Sequence, residues 1–66
     1  MTRVFKLVQK YDGIKIAEVY EFQDGQTIVK WLSDSGSVGI HKSLEEFTSI
    51  VLNNDRLLIL SQILSL

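Results

Sequence analysis

Apolar side chains recur at every second position in the first half of the chain: Phe5 and Leu7, then Ile14, Ile16, Tyr20 and Phe22, then Val29 and Trp31. This period, in runs rich in β-branched and aromatic residues, predicts three strands that each lay one face on a core. Two Asp-Gly pairs separate the runs, Asp12-Gly13 between Tyr11 and Ile14, and Asp24-Gly25 between Gln23 and Gln26. Each suits a two-residue type I′ hairpin. Counting outward from such turns sets Phe5 opposite Tyr20 and Leu7 opposite Glu18, then Tyr20 opposite Val29 and Glu18 opposite Trp31. The register gathers Phe5, Leu7, Ile14, Ile16, Tyr20, Phe22, Val29 and Trp31 on one aromatic face. Val4, Lys6, Val8, Lys10, Lys15, Ala17, Val19, Glu21, Ile28, Lys30 and Leu32 are left on the other. Glu18 is the misfit, because its carboxylate lands between Leu7 and Trp31. It must be paired there, lie near the sheet's edge, or mark a bulge that shifts the strand, and unpaired buried carboxylates are rare enough to favour edge or bulge.

Downstream, Ser33-Asp34-Ser35-Gly36-Ser37 reads as a turn, and Val38 to His41 as a short fourth strand weakened by Gly39. Ser43-Leu44-Glu45-Glu46 is a capping box that opens a helix with Leu44, Phe47, Ile50 and Val51 on one side, and Asn53-Asn54 suits a left-handed end. The stretch from Leu57 to Leu66 is apolar nearly all round. A second helix capped by Asp55, with Leu57, Leu60 and Leu64 in one stripe, is favoured over a strand from Arg56 to Leu60, since the segment holds only two β-branched residues. The expected fold is therefore α+β, a three- or four-stranded antiparallel β-meander with one face covered by one or two C-terminal helices, residues 1–66 forming a single small domain.

A chain of 66 residues with no cysteine and one histidine has neither disulfide nor metal staple, so packing must stabilise it. The apolar fraction of 45% is high for so small a molecule, which points to apolar surface meeting another chain. Leu57, Leu58, Ile59, Leu60, Ile63 and Leu64 are the candidate self-association residues. Seven basic and eight acidic residues create no overall field for nucleic acid or anionic lipid. The apolar C-terminal stretch is too short to span a bilayer, and Met1 to Tyr11 has no long apolar region, so no membrane partner is expected and the cytoplasm is the expected location.

Candidate chemistry is sparse. His41 with Ser33, Ser35 or Ser37 has the residue types for acyl transfer, but no G-x-S-x-G elbow accompanies them, and serines beside Asp and Gly are first of all turn formers. Glu45 and Glu46 suit a helix N-terminus better than acid–base work. Gly13, Gly25, Gly36 and Gly39 match no phosphate-binding spacing. No enzyme activity, metal or cofactor is expected. Lys6, Lys10, Lys15 and Lys30 share one predicted face and form a candidate nucleic-acid surface, although the aromatics needed to stack bases fall on the other.

Ala17-Glu18-Val19-Tyr20-Glu21-Phe22-Gln23-Asp24-Gly25, followed by Thr27-Ile28-Val29-Lys30-Trp31-Leu32, resembles a set of short uncharacterised prokaryotic and phage proteins with an acidic–apolar strand, a D-G turn and a basic-Trp strand. The likeness begins at Val4-Phe5-Lys6-Leu7 and continues through Ser37 and Ser43-Leu44-Glu45-Glu46. Members often carry a His-rich turn after the helix, where this chain has Asn53-Asn54-Asp55. The resemblance implies a short, stand-alone protein that sometimes belongs to a mobile element. Together these readings lead to an expected function as a small non-enzymatic protein-interaction module, a phage or mobile-element accessory or inhibitor protein acting by binding. Its expected partner is itself, as a homodimer or higher, or another protein. The alternative is a nucleic-acid-binding protein using the lysine face.

Overall fold

The computed structural model describes residues 2–32 and 36–65. Strands β1 (Arg3–Gln9), β2 (Lys15–Glu21), β3 (Thr27–Trp31) and β4 (Val38–His41) precede a short helix α1 (Leu44–Phe47), which continues as a π-helical segment (Thr48–Leu52), and a last strand β5 (Leu58–Ser65) follows. All five strands lie in one antiparallel sheet in the order β4-β3-β2-β1-β5. The α+β expectation stands in this coarser form. The sheet has five strands, and its helix precedes the last strand instead of closing the chain.

The order explains the layering. β4 and β5 are opposite edges of the sheet, so the chain between them must cross its whole width, four gaps of ~4.8 Å or roughly 19 Å. It makes the crossing on one face only, as the helical segment, which places Phe47 in the core with Leu44, Val51 and Leu52 against it. Ile50, expected among them, is 52% exposed. Among the described residues, the opposite face receives no second layer.

The helix starts where the capping box predicts. Ser43 Oγ accepts the backbone N–H of Glu46 at 3.0 Å, while the Glu46 carboxylate reaches back one residue further than expected, to the N–H of Lys42 at 3.5 Å. Asn53 is the C-cap of the segment, in right-handed conformation with φ −72°, and Asn54 Nδ2 donates to the carbonyl of Ile50 at 2.6 Å.

Neither hairpin has the expected two-residue loop. In the second, the N–H of Gly25 bonds to the carbonyl of Phe22 and the N–H of Phe22 to the carbonyl of Gln26. That is a three-residue loop in which Gly25, at φ +93°, supplies the left-handed residue. In the first, the N–H of Gly13 bonds to the carbonyl of Gln9, and that of Gln9 to Ile14, giving a four-residue loop that contains Lys10 and Tyr11. A bulge between Leu7 and Val8 absorbs a further residue.

The consequence is a change of face for β2 from Ala17 to Glu21. Phe5 faces Val19, Leu7 faces Ala17 and Val19 faces Val29. The core is Phe5, Leu7, Ala17, Val19, Val29 and Phe47, with Trp31, Leu58 and Leu60 packed against it. Thr27 is buried too, and its hydroxyl donates to the carbonyl of Gly25 at 3.2 Å. Tyr20 and Phe22 leave the predicted aromatic face, Ala17 and Val19 enter it, and Ile14 is a turn residue 58% exposed. The bulge flips β2 against β1 and the three-residue loop flips it against β3; a bulge is one of the three readings that the misfit of Glu18 offers.

The favoured C-terminal helix is corrected to a strand. Asp55 caps no helix; its Oδ1 accepts the N–H of Leu57 at 2.9 Å in a tight turn, and β5 then pairs with β1 from Leu58 opposite Gln9 to Ser65 opposite Arg3.

Candidate functional site

The open face is built row by row from the register. Ile40, Ile28, Tyr20, Val4 and Leu64 pair in succession across all five strands. This apolar row runs from one edge of the sheet to the other. Beside it, Val38, Lys30, Glu18, Lys6 and Ser61 form a charged row, followed by Lys15, Val8 and Ile59. On the other side of the apolar row lies a shallow depression lined by Thr2, Phe22, Gln23, Asp24, Gln26 and Ile28. Ile40 (66%), Val38 (60%) and Leu64 (47%) are among the most exposed large apolar residues of the molecule, and they lie together with Phe22 and Ile59 on this one face.

Glu18 organises the charged row. Its carboxylate accepts from the Lys15 ammonium at 3.1 Å and from the Tyr20 hydroxyl at 3.3 Å. The hydrogen bond from Lys15 and its charge hold the Glu18 carboxyl below the ordinary carboxylate range, with Tyr20 and Lys30 adding to the effect. Tyr20 responds in the opposite sense. Partial burial raises its phenol first, and the neighbouring Glu18 charge raises it further.

Of the four lysines assigned to a common face, Lys6, Lys15 and Lys30 are on the open side, while Lys10 is an exposed residue of the first turn. Tyr20 and Phe22 have joined them, so the separation of lysines from aromatics expected from the two-residue turns is overturned. The candidate self-association residues divide three ways. Leu58 and Leu60 pack on the core, Ile59 and Leu64 belong to the open face, and Leu57 and Ile63 are exposed at 59% and 50%.

At the far end of β4, His41 packs edge-on against Phe47 with ring centroids 5.3 Å apart, and its Nδ1 lies 3.8 Å from Glu46. Ser33 and Ser35, its suggested serine partners, lie outside the described residues. Ser37 presents its carbonyl to the N–H of Trp31. On the covered face, Arg3 pairs with Glu21 and stacks over the Phe5 ring, 5.4 Å from its centre; the hydrogen bond to Glu21 raises the Arg3 guanidinium further above its ordinary value. Among the described residues no three His, Asp or Glu side chains gather as metal ligands, and no helix is long and apolar enough to cross a membrane.

No family model matches this chain, and no curated protein or solved structure matches it either. Function must therefore be argued from the surface itself. Sequence reasoning missed the apolar row because it placed Tyr20 in the core, left Val4 and Ile28 among the lysines of the other face, and set Ile40 and Leu64 apart from both. The signal that could have found it was Glu18: shifting both hairpins by one residue moves that carboxylate outward and carries Tyr20 with it.

Proposed function

We propose that this chain is a small protein-interaction module that acts by binding and without turnover, with the open sheet face as its contact surface. One observation carries the reading. A row of five large side chains crosses the whole sheet on the face that the helical segment does not cover, and contiguous apolar patches of this kind mark interaction sites on soluble domains. An accessory or inhibitor role in a phage or mobile element would use such a surface. The test is a charge placed in the row. Wild-type protein should either self-associate or, as a monomer, bind a hydrophobic dye, and Ile28→Lys should do neither while keeping its circular dichroism spectrum. A folded wild-type monomer indifferent to the dye would end the reading.

A second reading, binding of single-stranded nucleic acid, gains support from Tyr20 and Phe22 sharing the open face with Lys6, Lys15 and Lys30, because sheet surfaces that hold unpaired bases combine stacking rings with cationic side chains. It predicts salt-dependent binding of a labelled oligonucleotide that Lys6→Glu with Lys30→Glu abolishes. Absence of binding at low salt counts against it. The protein reading leads because aliphatic side chains outnumber the two rings, and Glu18 sits between Lys6 and Lys30.

A further inference from the structure

We infer that the occupant of the open face is a second copy of this chain, packed face to face about a twofold axis running along the row Ile40–Ile28–Tyr20–Val4–Leu64. The inference rests on the protein-contact reading above and names the partner.

Area is the first argument. Five strands ~4.8 Å apart and about four rows of side chains ~6.7 Å apart give a face that projects to roughly 500 Å². Two copies thus cover about 1,000 Å² in projection, and more in accessible surface because side chains corrugate it, which meets the ~1,200 Å² at which stable interfaces begin. The alternative contact between copies, pairing of exposed β5 edges, offers a strip about 26 Å long and ~10 Å thick. That is only about half the projected area of the face.

Charge places the axis. Sheets packed face to face keep their strands within about 30° of alignment, which leaves two simple twofold arrangements. An axis parallel to β2 would set Lys30 of one copy over Lys6 of the other and Glu18 over Glu18, opposing like charges at a contact where such pairs are costly. An axis along the apolar row sets Ile28 over Ile28 and Tyr20 over Tyr20. It carries the charged row onto the Thr2, Phe22 and Gln26 end of the other copy, where Asp24 in the β2–β3 turn offers Lys30 a carboxylate. The second arrangement keeps the apolar row on itself, sets Glu18 over Phe22 and opposes no like charges, so of the two it is the one an isologous interface can use.

Light scattering on a concentration series tests this with three proteins, wild type, Ile28→Lys and Ile28→Glu, each checked for fold by circular dichroism. The expected result is a wild-type dimer whose dissociation constant rises ~30-fold or more in each variant, as for a hot-spot residue, with dimers returning when the two variants are mixed in equal amounts. Rescue on mixing is specific to an axis that brings position 28 onto itself. A dimer that both variants retain would overturn the face as the interface. Dissociation without rescue on mixing would overturn the axis. A strict wild-type monomer that binds a hydrophobic dye would overturn the second copy while keeping the interaction module, and a strict monomer that binds no dye would overturn both.

Discussion

Tyr20 and Glu18 are two residues apart on β2 and so point to the same face, where their side chains meet at 3.3 Å. Each biases the other's proton. Because the phenol is raised by burial and by the Glu18 charge, its contribution to stability is present below the ordinary tyrosine pKa and lost as pH rises through the folded value. Glu18 runs the other way. Held low by Lys15, its contribution is present above the ordinary carboxylate pKa and lost as pH falls through the folded value. Ultraviolet titration should therefore show Tyr20 ionising above free tyrosine, and Glu18→Gln should move it part of the way back, burial being the larger cause. An unmoved titration would show that the two side chains are not coupled. Gly25 acts through its backbone. A Cβ there would meet only the Lys42 carbonyl, at 4.0 Å, but φ is +93°. Gly25→Ala should cost about 1–2 kcal/mol in chemical denaturation, and Gly25→Asn less, because asparagine tolerates positive φ better than alanine.

At the level of elements, strands β1 to β4 and the start of α1 were legible from apolar alternation, Asp-Gly pairs and a capping serine, all of them local signals. The register was not, because Asp-Gly serves two-, three- and four-residue loops alike, and that choice together with the bulge between Leu7 and Val8 changes the face of β2 from Ala17 to Glu21. β5 was misread for a related reason. Leu58 and Leu60 face inward opposite Gln9 and Leu7, but Ile59, Ile63 and Leu64 are also apolar, which erases the alternation that identifies a strand. Its β-structure comes from pairing with β1, a partner far away in sequence. The same composition has a consequence for behaviour. β5 is an edge strand with no charge or proline between Leu58 and Ser65, which invites pairing with other chains. Ile63→Lys, at a half-exposed position, should slow aggregation during storage with little change in unfolding midpoint; faster aggregation would show that this edge is already protected. In the covering layer, Phe47 is the one fully buried side chain that the helical segment contributes. Phe47→Ala should cost about 3–5 kcal/mol, comparable to the whole stability of so small a core, and leave the variant largely unfolded by circular dichroism.

For the molecule as a whole, one layer of helix on one side of a sheet solves half of a burial problem. The core of six apolar residues lies between them, while the outward side chains of five strands face solvent. If a second copy covers those side chains, stability becomes a function of concentration, and the thermal midpoint should rise as protein is added. Calorimetry over a hundredfold dilution would detect this, and a constant midpoint would mean that the open face adds nothing to folding. The strand order has one more implication, for how the molecule comes into being. β1 leaves the ribosome before the other described strands, yet its second neighbour, β5, leaves after all of them. During synthesis β1 can pair with β2 alone, its other edge bare, and the sheet closes only when a contact between distant parts of the chain is made. Such contacts form slowly. A chain cut after Asn54 would have its meander and its helical segment but an unfinished edge, the place where a chaperone, or another copy, would bind first.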